Sequence, residues 1–227
     1  MKLFIVALLM LALTPAAPAG NFTKKTHSSF DDWKVEAIGA LADEKVPEAL
    51  RKVLDAKGLR VIDDKGKVFV EIWFNKSINA SKDEIAGATF WQFGDGNFVG
   101  VINFPGAASD YRGQGIKAGY YTLRYGLILQ DGNHLGVSPA RDFFLACSLT
   151  EDKDPAAKLS FDDMIKLSKQ ASGTGHPSTW VLSTPESTDK LPKVVKDDHG
   201  HISVTTRVTV GSNELTISLT IVGRAEG

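Results

Sequence analysis

Gly113 to Leu149 reads GQGIKAGYYTLRYGLILQDGNHLGVSPARDFFLACSL. Two apolar runs in it, Tyr120 to Leu129 and Phe143 to Leu149, have the length and aromatic content of strands. Between them lies a polar loop holding Asp131, Gly132, Asn133, His134, Gly136, Ser138, Pro139, Arg141 and Asp142. Apolar strands that hold a polar loop still are how β-domains position binding groups. The stretch therefore predicts a β-fold and marks its loop as the first place to look for a site.

The flanking sequence extends the same pattern. Trp33 to Ala37 alternates and predicts a first strand. Pro47 opens a helix through Lys57 with Ala49, Leu50, Val53 and Leu54 on one face, and Gly58 is placed to end it. Val61-Ile62, the turn Asp63-Asp64-Lys65-Gly66 and Lys67 to Asn75 read as a hairpin. Its second arm alternates Val68, Val70, Ile72 and Phe74 with Phe69, Glu71 and Trp73, so both faces are largely apolar, as in a central strand. Phe90 to Phe93 and Phe98 to Phe104 read as another hairpin about Gly94-Asp95-Gly96-Asn97.

Ser160-Phe161-Asp162-Asp163 resembles a capping box and starts a helix that ends near Gly173. Ile202 to Val210 and Leu215 to Val222 alternate strictly about Gly211-Ser212-Asn213, a hairpin with one buried face. Asp152 to Pro155 and Glu186 to Lys190 read as polar connectors. Many short strands with two short helices predict a mainly β chain, an antiparallel β-sandwich with two short peripheral helices in a single domain over residues 31–227.

The N-terminus predicts export. Lys2 is a positive n-region, Leu3 to Leu13 an apolar core too short to span a bilayer, and Ala17-Pro18-Ala19 a cleavage site. Residues 1–19 thus read as a signal peptide cleaved before Gly20, and 20–30 as a disordered tether. The expected compartment is periplasmic or extracellular, with no membrane span in the mature chain. One cysteine, Cys147, cannot make an internal disulfide and lies in an apolar run, which predicts a buried thiol. A net charge of −1 argues against a nucleic-acid partner.

Five groups of residues bear on chemistry. Asp131, His134 and Arg141 suit an anionic or hydroxylated ligand, because histidine titrates near neutrality and arginine binds oxyanions with a planar fork. The same loop also reads as plain chain reversal, with Arg141 and Asp142 bonded to backbone or to each other. His176, after the glycines of Ser172-Gly173-Thr174-Gly175, is a candidate fourth contact and a possible partner for His134, although those glycines also suit a helix cap. His199 and His201 share one face of an extended chain beside Asp197 and Asp198, which admits a weak metal alternative next to the reading as a solvated turn. Gly136-Val137-Ser138-Pro139-Ala140 lacks the second glycine of a hydrolase elbow. Trp73, Trp91, Phe93 and Phe98 fit either a core or an aromatic platform.

Gly119-Tyr120-Tyr121-Thr122-Leu123-Arg124-Tyr125, followed by Asp131 to Val137 and Arg141-Asp142-Phe143, resembles exported bacterial proteins of uncharacterised function over Arg112 to Leu149. The resemblance implies an architecture and a compartment, with no activity attached. The expected function is an exported, non-enzymatic β-sandwich that binds a small polar or anionic ligand or an envelope component. The alternative is a hydrolase or metal-dependent enzyme using His134 and His176. The sequence names no cofactor.

Overall fold

The computed structural model describes residues 33–130, 138 and 140–223; the expected signal peptide and tether and the loop residues Asp131 and His134 lie outside the described residues. The chain begins as a meander. β1 (Lys34–Ile38), β2 (Gly58–Ile62), β3 (Val68–Phe74) and β4 (Phe98–Phe104) pair antiparallel in sequence order. A small separate ladder, β5 (Ala108–Ser109) with β6 (Gly115–Ile116), interrupts before β7 (Gly119–Leu127) pairs with β4. β8 (Asp142–Ser148) and β9 (Ser178–Ser183) follow on. The chain then crosses to the far edge, β10 (Lys193–Lys196), and returns through β11 (Ile202–Val210) and β12 (Asn213–Val222).

β9 joins the two runs. Ser178 to Val181 pair with β8, while Leu182 and Ser183 pair with β12. Among the described residues ten strands thus form one antiparallel sheet, ordered β1-β2-β3-β4-β7-β8-β9-β12-β11-β10. Strand twist accumulates across so many strands, and the two edges, β1 and β10, come to lie near each other. The mainly β class and the two helices stand as expected. The strands, however, form a single sheet nearly closed as a barrel where the sequence pattern predicted a two-sheet sandwich. Alternation reports that a face is buried; it is silent on whether that face meets a second sheet or the opposite wall of its own.

Side chains fill the interior of this curled sheet. Leu123 and Tyr125 of β7, Phe144 of β8, Trp180 and Leu182 of β9 and Val208 of β11 belong to one buried cluster. Trp180 stacks on Phe104 with ring centroids 4.9 Å apart. The helices cover patches of the outer face. α1 (Glu48–Val53) brings Leu50 into a cluster with Trp73, Phe98 and Val101. α2 (Phe161–Ser172) packs Met164 and Leu167 against Phe143, Leu145 and Cys147. That second covering layer is why β3 and β8 are apolar on both faces. Cys147 is the expected core thiol, with burial holding its ionisation well above the ordinary range.

Local departures have local causes. α1 is shorter than expected, and Gly58 starts β2 without a left-handed backbone. A Cβ there would lie 2.3 Å from the Trp73 indole, so glycine is needed for contact with a ring whose Nε1 donates to Gly39 O at 2.9 Å. Trp91–Phe93 is a single 3-10 turn, not a strand, because the Asp142 carboxylate takes the N–H groups of Thr89 (2.9 Å) and Phe90 (2.8 Å) that a ladder would use. α2 begins and ends as predicted. The Ser160 hydroxyl accepts from Asp163 N, and Gly173 closes the helix with φ of 65°.

The outer face of β7 carries a buried clamp. Arg124 is fully buried and commits five N–H bonds, the full set a guanidinium offers. Nε (2.9 Å) and one terminal nitrogen (2.5 Å) grip Asp152, and the rest reach the carbonyls of Gly96, Ala157 and Asp154. Thr122 also donates its hydroxyl to Asp152. The segment expected to be a polar connector is therefore pinned onto the barrel wall.

Candidate functional site

A groove of about 370 Å³ opens on the outer surface between α2, the ends of β7 and β8, and the start of β9. Phe161 and Ile165 of α2 form one wall. Leu127, Ile128 and Leu129 form another, with Phe143 and Val181 between. Leu129 is 43% exposed at the edge. The third side is Tyr111, Arg112, His176 and Pro177, with Lys169 reaching in from the helix. The volume falls in the usual range for small-molecule sites, and the lining is mostly apolar with a few polar groups, as such sites are.

A buried carboxylate builds the rim. Asp110, 1% exposed, accepts from Arg112 N (3.0 Å), Gln114 N (2.9 Å), Gln114 Nε2 (3.0 Å) and Thr179 N (3.2 Å). Gln114 Nε2 also donates to Pro177 O at 3.0 Å, and Tyr111 N donates to Thr179 O at 3.1 Å. Asp110 therefore fixes the Tyr111–Arg112 loop to the strand that follows His176. Burial raises its carboxyl above the ordinary range even with these donors lowering it.

The sequence-predicted residues divide as follows. His176 is exposed on the rim, and Ser138, inside the predicted loop, lines the groove beside Leu129. Arg141 is half-buried next to it and donates from Nε to Ile128 O at 2.8 Å and from a terminal nitrogen to Ala86 O at 2.5 Å. These bonds tie the end of β7 to the Ile85–Gly87 turn, the backbone role weighed against ligand contact. Arg141→Ala is expected to cost about 1–2 kcal/mol, since two charge-assisted bonds are lost at a half-exposed position. Urea denaturation checks it, and Arg141→Lys should recover less than half of the loss because lysine cannot hold both carbonyls. Asp142 is buried under the same turn, also accepting from the Tyr125 hydroxyl at 2.5 Å. Burial and that bond push Tyr125 far above the ordinary phenol range.

His199 and His201 do lie together, ring centroids 5.9 Å apart. His201 Nδ1 meets Asp197 Oδ2 at 2.8 Å, and the ring packs on Tyr111 at 5.5 Å, behind the groove wall. Among the described residues no group of three His, Cys, Asp or Glu side chains is placed to hold a metal ion. Trp73, Phe93 and Phe98 are buried and pack as core, while Trp91 is half-buried.

Asp95 lies near Arg141 and Lys158, with one carboxylate oxygen buried and without a hydrogen-bond partner among the described residues. Burial raises its carboxyl above the ordinary range, outweighing the attraction of the two cations. An aspartate raised on folding adds stability below its unfolded pKa and loses it as pH rises through the folded value. Asp95→Asn is therefore expected to raise the urea midpoint at neutral pH, with the gain vanishing near about pH 3, where the carboxyl is protonated in both states. An unchanged gain across that span would assign the effect to packing instead.

Sequence reasoning missed the apolar wall of this site, from α2, and the rim residues Tyr111 and Arg112. The available signal was Leu129, an apolar residue continuing past the end of its strand beside turn residues. The fold and groove define a class: a mainly β, nearly closed barrel with a packed interior and an apolar groove on its outer wall. Comparison with protein-family models, with curated proteins and with solved structures found no match. Among the described residues no helix is long and apolar enough to cross a membrane.

Proposed function

We propose that this chain is an exported, non-enzymatic binding protein whose ligand, a small molecule or a component of the cell envelope, seats in the groove beside α2. The observation that carries this reading is a groove of about 370 Å³ lined mostly by apolar side chains, with Arg112, Lys169 and His176 at its rim, outside the buried cluster of the curled sheet. Export is supported by the Lys2, Leu3–Leu13 and Ala17–Ala19 pattern and by the resemblance over Arg112 to Leu149.

Nile red, an uncharged apolar dye, tests the groove directly. It should bind saturably, one molecule per chain, with fluorescence rising as it leaves water. Ile165→Glu puts a charge into the wall at a half-exposed position and should weaken binding by about tenfold or more, the effect of an unpaired charge facing an apolar ligand. The melting transition of the variant controls for folding. Dye binding that Ile165→Glu leaves intact would place the ligand elsewhere, and absence of saturable binding would remove the groove reading altogether.

A further inference from the structure

The groove is polar at one end and apolar at the other, and strand register shows which end is which. Phe143 pairs with Val181 and Leu145 with Thr179, so Val181 and Thr179 mark opposite ends of the β9 wall. Leu127, opposite Asp142, stands at the Val181 end. Gly175, His176 and Pro177 run directly into the Thr179 end. Tyr111 and Arg112 are held there too, by the bond from Tyr111 N to Thr179 O. On α2, Ser168 donates its hydroxyl to Ser178 O at 3.2 Å, which places the neighbouring Lys169 at this same end. Phe161 lies eight residues back along the helix, about 12 Å away at 1.5 Å per residue.

Arg112, Lys169 and His176 thus gather at one end, and no carboxylate lines the groove among the described residues. The nearest acid to them in the chain, Asp110, is buried with its oxygens taken by N–H donors. The acids of α2, Asp162 and Asp163, sit in its first turn, at the far end. There the polar lining group is Ser138, whose hydroxyl accepts from Ala140 N at 3.3 Å. The basic groups attract an anion to their end, while an apolar chain fits along the rest of the groove.

We propose that the ligand is a single-chain anionic amphiphile, its carboxylate or phosphate head among Arg112, Lys169 and His176 and its chain lying along Ile165 toward Phe161 and Phe143. This rests on the groove reading above. It adds the chemistry and the orientation.

Calorimetric titration with four ten-carbon compounds separates the possibilities: decanoate, decyl phosphate, decanol and decyltrimethylammonium. The proposal expects at least one of the two anions to bind about tenfold more tightly than decanol, and the ammonium to bind no better than decanol. The preferred anion identifies the head group, a free carboxylate or a lipid-type phosphate. Arg112→Gln and Lys169→Gln, both at exposed positions, should each weaken that anion by about fivefold and leave decanol unchanged, a split that loss of structure would not produce. Added salt should narrow the gap, since exposed charges are screened. Equal affinity for decanol and both anions, or glutamine variants without effect, would overturn the charge assignment while leaving the groove in place. If none of the four compounds binds although Nile red does, the amphiphile class is wrong; if Nile red also fails, the groove reading falls with it.

Discussion

Replacing Asp152 by alanine is expected to cost about 3–5 kcal/mol of folding stability, the range for removing one partner of a buried ion pair. Asp152 is 3% exposed and Arg124 fully buried, so the guanidinium would be left without its counter-ion and without water. Its terminal nitrogens would still reach the carbonyls of Gly96, Ala157 and Asp154, but Nε would lose its acceptor. Thr122 would lose its acceptor carboxylate as well. The double substitution Arg124→Met, Asp152→Leu should cost less than Asp152→Ala alone, because no uncompensated charge remains. Urea denaturation of the three proteins measures both numbers. A cost below about 1 kcal/mol for Asp152→Ala would mean that the site admits water and behaves as a surface pair.

Trp180→Ala should be comparably severe, about 3–5 kcal/mol, through the cavity it leaves. The indole has no exposed surface and lies against the Phe104 ring within the barrel, where the packed strands cannot close over the gap. Trp180→Phe should cost far less. The Trp180 Nε1 is buried without an acceptor among the described residues, so the smaller ring removes an unsatisfied donor along with some contact. Chemical denaturation of the two variants separates volume from polarity. A phenylalanine loss as large as that of alanine would show that the N–H, absent from both variants, has a partner after all.

Arg124 shows how far sequence reading reaches. In Gly119-Tyr120-Tyr121-Thr122-Leu123-Arg124-Tyr125 it occupies an outward position of an otherwise apolar strand, and outward arginines are ordinarily solvated. Nothing in Asp152-Lys153-Asp154-Pro155 says that this segment folds back to meet it. The candidate site divides in the same way. Glycine spacing and turn chemistry marked the loop ending at Arg141 and the stretch holding His176, and Ser138 and His176 do line one groove. The apolar wall of that groove comes from α2, and its basic rim partly from Arg112, which no local pattern links to either segment.

What the sequence by itself determined is whatever depends on neighbours along the chain. Period-two alternation marked β1, β3, β11 and β12, the Ser160 and Gly173 caps bounded α2, and the doubly apolar runs of β3 and β8 required a layer on each face, whereas β9 and β10 carried no such signal. Only the tertiary structure decided how the sheet closes, because a buried face is the same in sequence whether it meets a second sheet or its own far wall. It alone turned Phe90 to Phe93 away from a strand, through a carboxylate some fifty residues on. It alone brought Arg112, Lys169 and His176 to one end of a groove, because contacts between distant segments depend on the twist and register of the whole sheet, which no short window of residues encodes.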